Sequence, residues 1–217
     1  MPYSDENWYG CWGKRAFDLV SSVLGVTLLS PLFAVLALAL RFTLGNPVLF
    51  KQFRPGYGEG LFILLKFRTM TNRADKNGRI LPDSQRLTSF GRFLRASSLD
   101  ELPELINVIK GDMSLVGPRP LPVRYSPYFT SEERARFLVK PGITGLSQVQ
   151  GRNDLSWDMR MAKDVEYVQN YSFTLDLKII YLTVLQVIRR KGLRVDPGAT
   201  MLNFDEERLL KNQKSSG

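Results

Sequence analysis

Apolar and polar residues alternate along this chain in patterns that change character several times. After an aromatic lead-in (Tyr3, Trp8, Tyr9, Trp12) and a basic pair, Lys14-Arg15, a run without charge extends from Leu19 to Leu40. A helix of about 20 residues crosses a bilayer core, so this run qualifies by length. It is too long for a secretory signal peptide and lacks the small-residue cleavage site. Two features argue against a simple span. Ser30-Pro31 lies in mid-run, where proline removes a backbone hydrogen bond. Basic residues also flank both ends, with Arg41, Lys51 and Arg54 following, whereas the positive-inside rule marks one cytoplasmic end. A re-entrant helix, broken at Ser30-Pro31 and returning to the same face, satisfies both; a kinked single span is the alternative.

Residues 46–60 read as loop and turn, and Leu61 to Met70 as a buried strand with Lys66 and Arg68 on one face. That face is either functional or a solvated strand end. The polar stretch 71–89 reads as a surface excursion, and Phe90 to Arg95 brings in Arg92 and Arg95. From Ser98 the pattern becomes helical. Leu102, Leu105, Ile106 and Ile109 share a face, Ser98 and Glu101 form a potential capping box, and Lys110-Gly111 supplies the stop. Asp100, Glu101 and Glu104 then crowd the first turn. Acids there stabilise any helix, but Gly117-Pro118-Arg119-Pro120 follows and holds Arg119 on a stiff turn. An acid pair at a helix start beside a pre-set arginine suits phosphate chemistry.

Beyond the turn, Ser131 to Leu138 reads as a short helix, 140–145 as a turn, Leu146 to Val149 as a short strand and Gly151-Arg152-Asn153 as another turn. Residues 156–171 carry a helical pattern. Leu177 to Ile188 is apolar around most of its circumference and ends in Arg189-Arg190-Lys191; it is either a core helix or one lying along a membrane. The tail from Gly192 is polar and reads as loosely ordered.

Composition narrows the chemistry. Across 217 residues Lys and Arg number 30 against 21 Asp and Glu, a net +9 that points to nucleic acid, an anionic membrane or phosphorylated substrates. There is no histidine, which excludes Ser-His-Asp and Cys-His triads and His-ligated metals. A single cysteine, Cys11, permits no internal disulfide. Acid–base work must fall to carboxylates, Lys or Tyr, and a metal to oxygen ligands, hence Mg²⁺ or a similar hard cation. No Gly-x-Gly-x-x-Gly, Walker-type loop, CxxC or HExxH occurs.

Lys14-Arg15-x-x-Asp18, Ser30-Pro31 in an apolar run, Lys66-Phe67-Arg68-Thr69-Met70, Leu99-Asp100-Glu101-Leu102-Pro103, Gly111 to Pro120 and Lys140 to Gly145, in this order, resemble the bacterial sugar transferase family. These are the monotopic phosphoglycosyl transferases that begin glycan assembly on polyprenyl phosphate. The resemblance covers roughly residues 13–191 and is nearest to the small, catalytic-domain-only members, including the one that starts bacterial N-glycan synthesis. Leu146-Ser147-Gln148 stands where many members have Trp-Ala-Gln, a modest departure.

The resemblance implies an α+β, mostly helical fold: a re-entrant membrane helix, amphipathic interfacial helices and a small sheet around a catalytic helix. Residues 1–45 would form the lead-in and membrane helix, 46–191 the catalytic domain and 192–217 the tail. It implies transfer of a sugar 1-phosphate from a UDP-sugar, expected to be an N-acetylated amino sugar, with UDP-glucose and UDP-galactose as alternatives. The acceptor would be polyprenyl (undecaprenyl) phosphate and the second product UMP. Asp100 would be the nucleophile in a ping-pong route through a phosphosugar-aspartyl intermediate. Glu101 would help deprotonate or position the acceptor, and Asp100 would at least partly hold Mg²⁺. The site would lie on the cytoplasmic face of the inner membrane, among membrane lipids, handing product to downstream glycosyltransferases in polysaccharide biosynthesis, with no nucleic acid involved.

Physical reasoning supports these roles. A diphosphate and a carboxylate repel, so cations and a helix N-terminus must bring them together. The helix start is expected to lower the pKa of Asp100. Arg119 is the first choice for phosphate contact, followed by Lys66, Arg95 and Arg152. Asp112 and Asp176 read as structural, anchoring turns through side-chain-to-backbone bonds. The rival readings are a membrane-anchored binding protein with a basic face and an inactive assembly scaffold; in either, the acid pair beside Arg119 would be incidental.

Overall fold

The computed structural model of the chain describes residues 9–151, 155–189 and 202–215. Helix α1 runs over Lys14–Leu44. One stripe, marked by Asp18, Ser22, Leu36 and Leu40, lies buried on the rest of the protein at helical spacing. The opposite face exposes Leu24, Leu28, Val35, Leu38 and Phe42. α1 is long and apolar enough to cross a membrane, and only 11% of its most apolar stretch is buried.

The expected break at Ser30-Pro31 does not end the helix, which continues with Pro31 inside it. A helical proline leaves the carbonyl four residues back without its N–H partner. Here that is the carbonyl of Thr27, and Ser30 Oγ donates to it at 2.8 Å. Both ends of α1 are tied to the same body. Lys14 Nζ donates to Asp176 at 2.5 Å, and Arg15 donates to the carbonyls of Val108 and Ile109 at 2.6 and 2.8 Å. Asp18 accepts from Ser114 Oγ at 2.7 Å and from the Leu115 N–H at 3.1 Å. At the other end Leu36 and Leu40 pack with Phe67 and Leu94, and Arg68 donates to the carbonyls of Leu44, Gly45 and Asn46. Arg68 is thus a structural clamp.

Strands β1 (Leu49–Pro55) and β2 (Leu61–Phe67) form an antiparallel hairpin. β1 occupies half of what reads as a loop, because its cross-strand pairing with β2 supplies order that the flanking Pro and Gly residues conceal. The polar excursion holds the short α2 (Asp83–Arg86). α3 (Ser89–Ala96) follows, capped by the Thr88 side chain, which accepts from the Gly91 N–H at 2.9 Å.

The single helix expected from Ser98 is divided. A 3-10 turn covers Leu99–Glu101 and α4 begins at Glu104, running to Lys110. Pro103 has no N–H to bond back into the preceding turn. Ser98 sits at φ 56° with no capping bond from its side chain. The buried Asn107 stitches α4 to β2: it donates to the Ile63 carbonyl at 2.7 Å and accepts from the Leu65 N–H at 3.0 Å.

β3 (Ser114–Val116) pairs in parallel with β4 (Gly142–Thr144), so the stretch 140–145 is part strand and not simply a turn. Glu133–Leu138 is 3-10 helix, and residues 146–150 form a helix, α5 (Leu146–Gln150), where a strand was expected. α6 (Trp157–Asn170) and α7 (Phe173–Arg189) follow the expected helical patterns. They pack Tyr167, Val168 and Ile179 against Val116, Leu146 and Val149. α7 also exposes Leu177, Tyr181, Val184 and Ile188, so only one of its apolar faces is core. Of the tail expected to be loosely ordered, 192–201 lies outside the described residues, and the part that is described is ordered. α8 (Phe204–Ser215) buries Phe204 completely among Tyr125, Phe129 and Trp157. The architecture is mostly helical, with two small sheets among the described residues. Tyr3, Trp8, Arg190 and Lys191 lie outside those residues.

Candidate active site

Lys66, near the end of β2, faces the turn that carries Asp100 and Glu101. Its Nζ donates to Glu101 Oε1 at 2.6 Å and lies 3.1 Å from Glu104 Oε1. Arg119 donates to the same Glu101 oxygen. Glu101 is therefore gripped by two cations and has no reach left for the capping box expected at Ser98. Arg95 Nε donates to Thr69 Oγ1 at 3.0 Å, which fixes the guanidinium beside the strand end. Asp100 is 8% exposed, and among the described residues its carboxylate makes no hydrogen bond or close ion pair.

Arg119 is placed by backbone geometry. β3 and β4 approach so closely that a β-carbon on Gly142 would lie 2.1 Å from Gly117 N, and one on Gly117 2.4 Å from the Lys140 carbonyl. Behind the turn, Arg136 donates to the Arg119 carbonyl at 2.6 Å and pairs with Asp164 at 2.9 Å. Asp164 accepts from Ser147 Oγ at 2.8 Å.

These groups meet in one cavity of about 910 Å³, lined by Lys66, Arg95, Asp100, Glu101 and Arg119 together with Trp157 and Arg160. The cavity brings together the expected site residues except Arg152, which lies outside the described residues, and Ser30 and Pro31, which belong to α1. Asp176 is fully buried, accepting from Tyr9, Lys14 and Tyr167. Asp112 accepts from Asn107 at 3.3 Å. Neither lines the cavity, and in both the partner is a side chain.

The electrostatics correct one expectation. Burial, aided by the charge of Glu101 and opposed by Lys66, Arg95 and Arg119, lifts Asp100 to about 6. It is not lowered, because Asp100 sits in a desolvated 3-10 turn ahead of α4. Burial alone would also raise Glu101, but Arg119 and Lys66 outweigh it and hold that carboxyl well below the usual range. Burial pushes Glu104 up to about 7 against the pull of Lys66. Glu101 in turn raises Arg119 and, against burial, Lys66.

Among the described residues no cluster of three or more His, Cys, Asp or Glu could cage a metal. Asp100 alone could offer a carboxylate oxygen to a hard cation whose other ligands are phosphate oxygens and water, a mode Mg²⁺ favours. Sequence reasoning gave no role to Glu104, Arg136, Asp164 or Trp157. Glu104 was legible as a third acid in the motif, whereas the Arg136–Asp164 contact joins distant segments and leaves no local signal.

The bacterial sugar transferase family model matches residues 9–190. A sugar transferase of Bacillus subtilis (strain 168), EpsL, is 49% identical over 88% of this chain and 95% of its own. The UDP-glucose:undecaprenyl-phosphate glucose-1-phosphate transferase of Caulobacter vibrioides is 42% identical over 79% of this chain and 68% of its own. The undecaprenyl-phosphate galactose phosphotransferase of Salmonella typhimurium is 38% identical over 82% of this chain and 41% of its own length.

Proposed function

The chain belongs to the bacterial sugar transferase family, and from that premise we propose that it moves a sugar 1-phosphate from a UDP-sugar to a polyprenyl phosphate, releasing UMP. The relatives named for undecaprenyl-phosphate glucose and galactose transfer support the reaction type. The observation that carries the reading is the buried Asp100 in a large cavity, with Glu101 locked between Lys66 and Arg119 at its side.

An oxygen of the Asp100 carboxylate attacks the β-phosphorus of the donor, the bond to the bridging oxygen breaks, and UMP carries away the electron pair. A phosphate oxygen of the acceptor then attacks the same phosphorus and releases Asp100. Lys66, Arg95 and Arg119 draw the diphosphate toward a carboxylate that would otherwise repel it. Glu101, held ionised, is a weak proton acceptor, so its part is to orient Lys66 and Arg119. Asp100 would hold a Mg²⁺ ion, which would supply charge neutralisation of the diphosphate when bound.

The same reading puts the enzyme on the cytoplasmic face of the inner membrane, with α1 re-entrant and downstream glycosyltransferases taking its product. Support comes from the attachment of both α1 ends to one body and from the exposure of Leu28 near the middle of the helix. Glucose and galactose, the sugars in the relatives' names, stand beside the expected N-acetylated amino sugar. UMP release from a panel of these UDP-sugars, with and without polyprenyl phosphate, tests the reading. UDP as the product would overturn it.

A further inference from the structure

Arg54 lies on β1 and lines the same cavity as Arg119. Its own contacts leave its charge uncompensated. Nη2 donates to Gln52 Oε1 at 2.6 Å and Nη1 to the Pro120 carbonyl at 3.4 Å, both neutral acceptors. Nε is buried with no hydrogen-bond partner. Among the described residues no carboxylate lies within 4.0 Å of its guanidinium, whereas Lys66 and Arg119 share Glu101. Burial, together with the like charges of Arg119 and Arg124 and against the pull of Glu104, lowers Arg54 to about 10. A guanidinium that lines a polar cavity and contacts only neutral acceptors is matched by an anion with oxygens to spare.

Position refines the choice of anion. The cations that act most strongly on Asp100 are Lys66, Arg95 and Arg119. Arg54 hydrogen-bonds the carbonyl of Pro120, the residue after Arg119, and shares its field with Arg119, Arg124 and Glu104. Resting on the functional reading above, we propose that Arg54 forms with Arg119 a second phosphate subsite beside the Asp100 centre. It takes a phosphate group that is not under attack: the α-phosphate that departs in UMP or, by the same chemistry, the phosphate of the polyprenyl acceptor.

Binding without turnover tests this. UMP and farnesyl phosphate are titrated separately into the full-length protein in detergent micelles, as wild type, Arg54→Gln and Arg54→Lys. The glutamine variant should weaken at least one ligand by about tenfold or more, as expected for a lost charge-assisted contact, with the lysine variant in between. Loss confined to UMP assigns the subsite to the donor, and loss confined to farnesyl phosphate assigns it to the acceptor; either supports the proposal. Thermal melting separates contact from folding: if Arg54→Gln melts early, the charge-retaining lysine variant is read instead. Wild-type binding of both ligands that neither variant weakens overturns the subsite and leaves the functional reading standing. A wild type that binds neither ligand overturns the functional reading itself, and the subsite with it.

Discussion

The guanidinium of Arg136 supports Arg119 from behind, donating to its backbone carbonyl at 2.6 Å while pairing with Asp164 at 2.9 Å. Both partners of that ion pair are 3% exposed, so the cavity-facing arginine rests on a charge pair almost wholly withdrawn from water.

Removing one member leaves the other charge buried and alone, which costs more than the pair contributes. Asp164→Ala should destabilise the protein by about 3–5 kcal/mol in chemical denaturation. An unchanged midpoint would mean that water reaches Arg136 freely.

Asp100→Asn keeps the shape of the side chain and removes the nucleophile. UMP release should fall to background while the protein still sediments with membranes, and EDTA should have the same effect on the wild type. Full activity in the variant would take Asp100 out of the nucleophile role; turnover in EDTA would do the same for Mg²⁺.

Glu104 has a folded pKa of about 7, raised chiefly by burial above its ordinary carboxylate value. A group shifted upward contributes stability at low pH and loses it as pH rises from the ordinary value through the folded one. Glu104→Gln does not titrate. Its stability relative to wild type should therefore climb between pH 5 and pH 8, by roughly 1–3 kcal/mol. A difference that is flat with pH would place Glu104 in water or keep it ionised throughout.

Gly142→Ala puts a β-carbon 2.1 Å from Gly117 N. The parallel strands must part and carry Arg119 with them. We expect a loss of at least about 2 kcal/mol in stability, as for other overpacked sites, together with loss of UMP release. A variant of normal activity and stability would show that the two strands have slack.

Single cysteines replacing Ala16 and Thr43, with Cys11 changed to serine, sit at exposed positions near the two ends of α1. Both should react with an impermeant maleimide from the same side of inverted vesicles. Labelling from opposite sides would make α1 a span.

The parts of this fold visible in the sequence are those whose order is local. β2, α6 and α7 announce themselves by periodicity, and the apolar run by length. β1 is hidden by the Pro and Gly residues that follow it, and its order comes from β2. α8 is hidden because Phe204 is a lone aromatic in a polar tail whose partners, Tyr125, Phe129 and Trp157, lie far back in the chain. Much of the candidate site was legible, since Asp100, Glu101, Lys66 and Arg119 stand in compact motifs. The direction of the Asp100 shift was not, because desolvation depends on distant segments closing over it. The support behind Arg119 was hidden for the same reason: Arg136, Asp164 and Ser147 meet only after folding.

The ties at the start of α1 make this long apolar helix part of the architecture around the candidate site. Asp18 satisfies Ser114 and the Leu115 N–H at the edge of β3, and Arg15 caps the end of α4. Clipping the chain after residue 45 to obtain a soluble fragment would strip partners from both elements that frame Asp100 and Arg119. A water-soluble form is better sought by recolouring the exposed apolar side of α1 with polar residues, leaving its inward stripe intact.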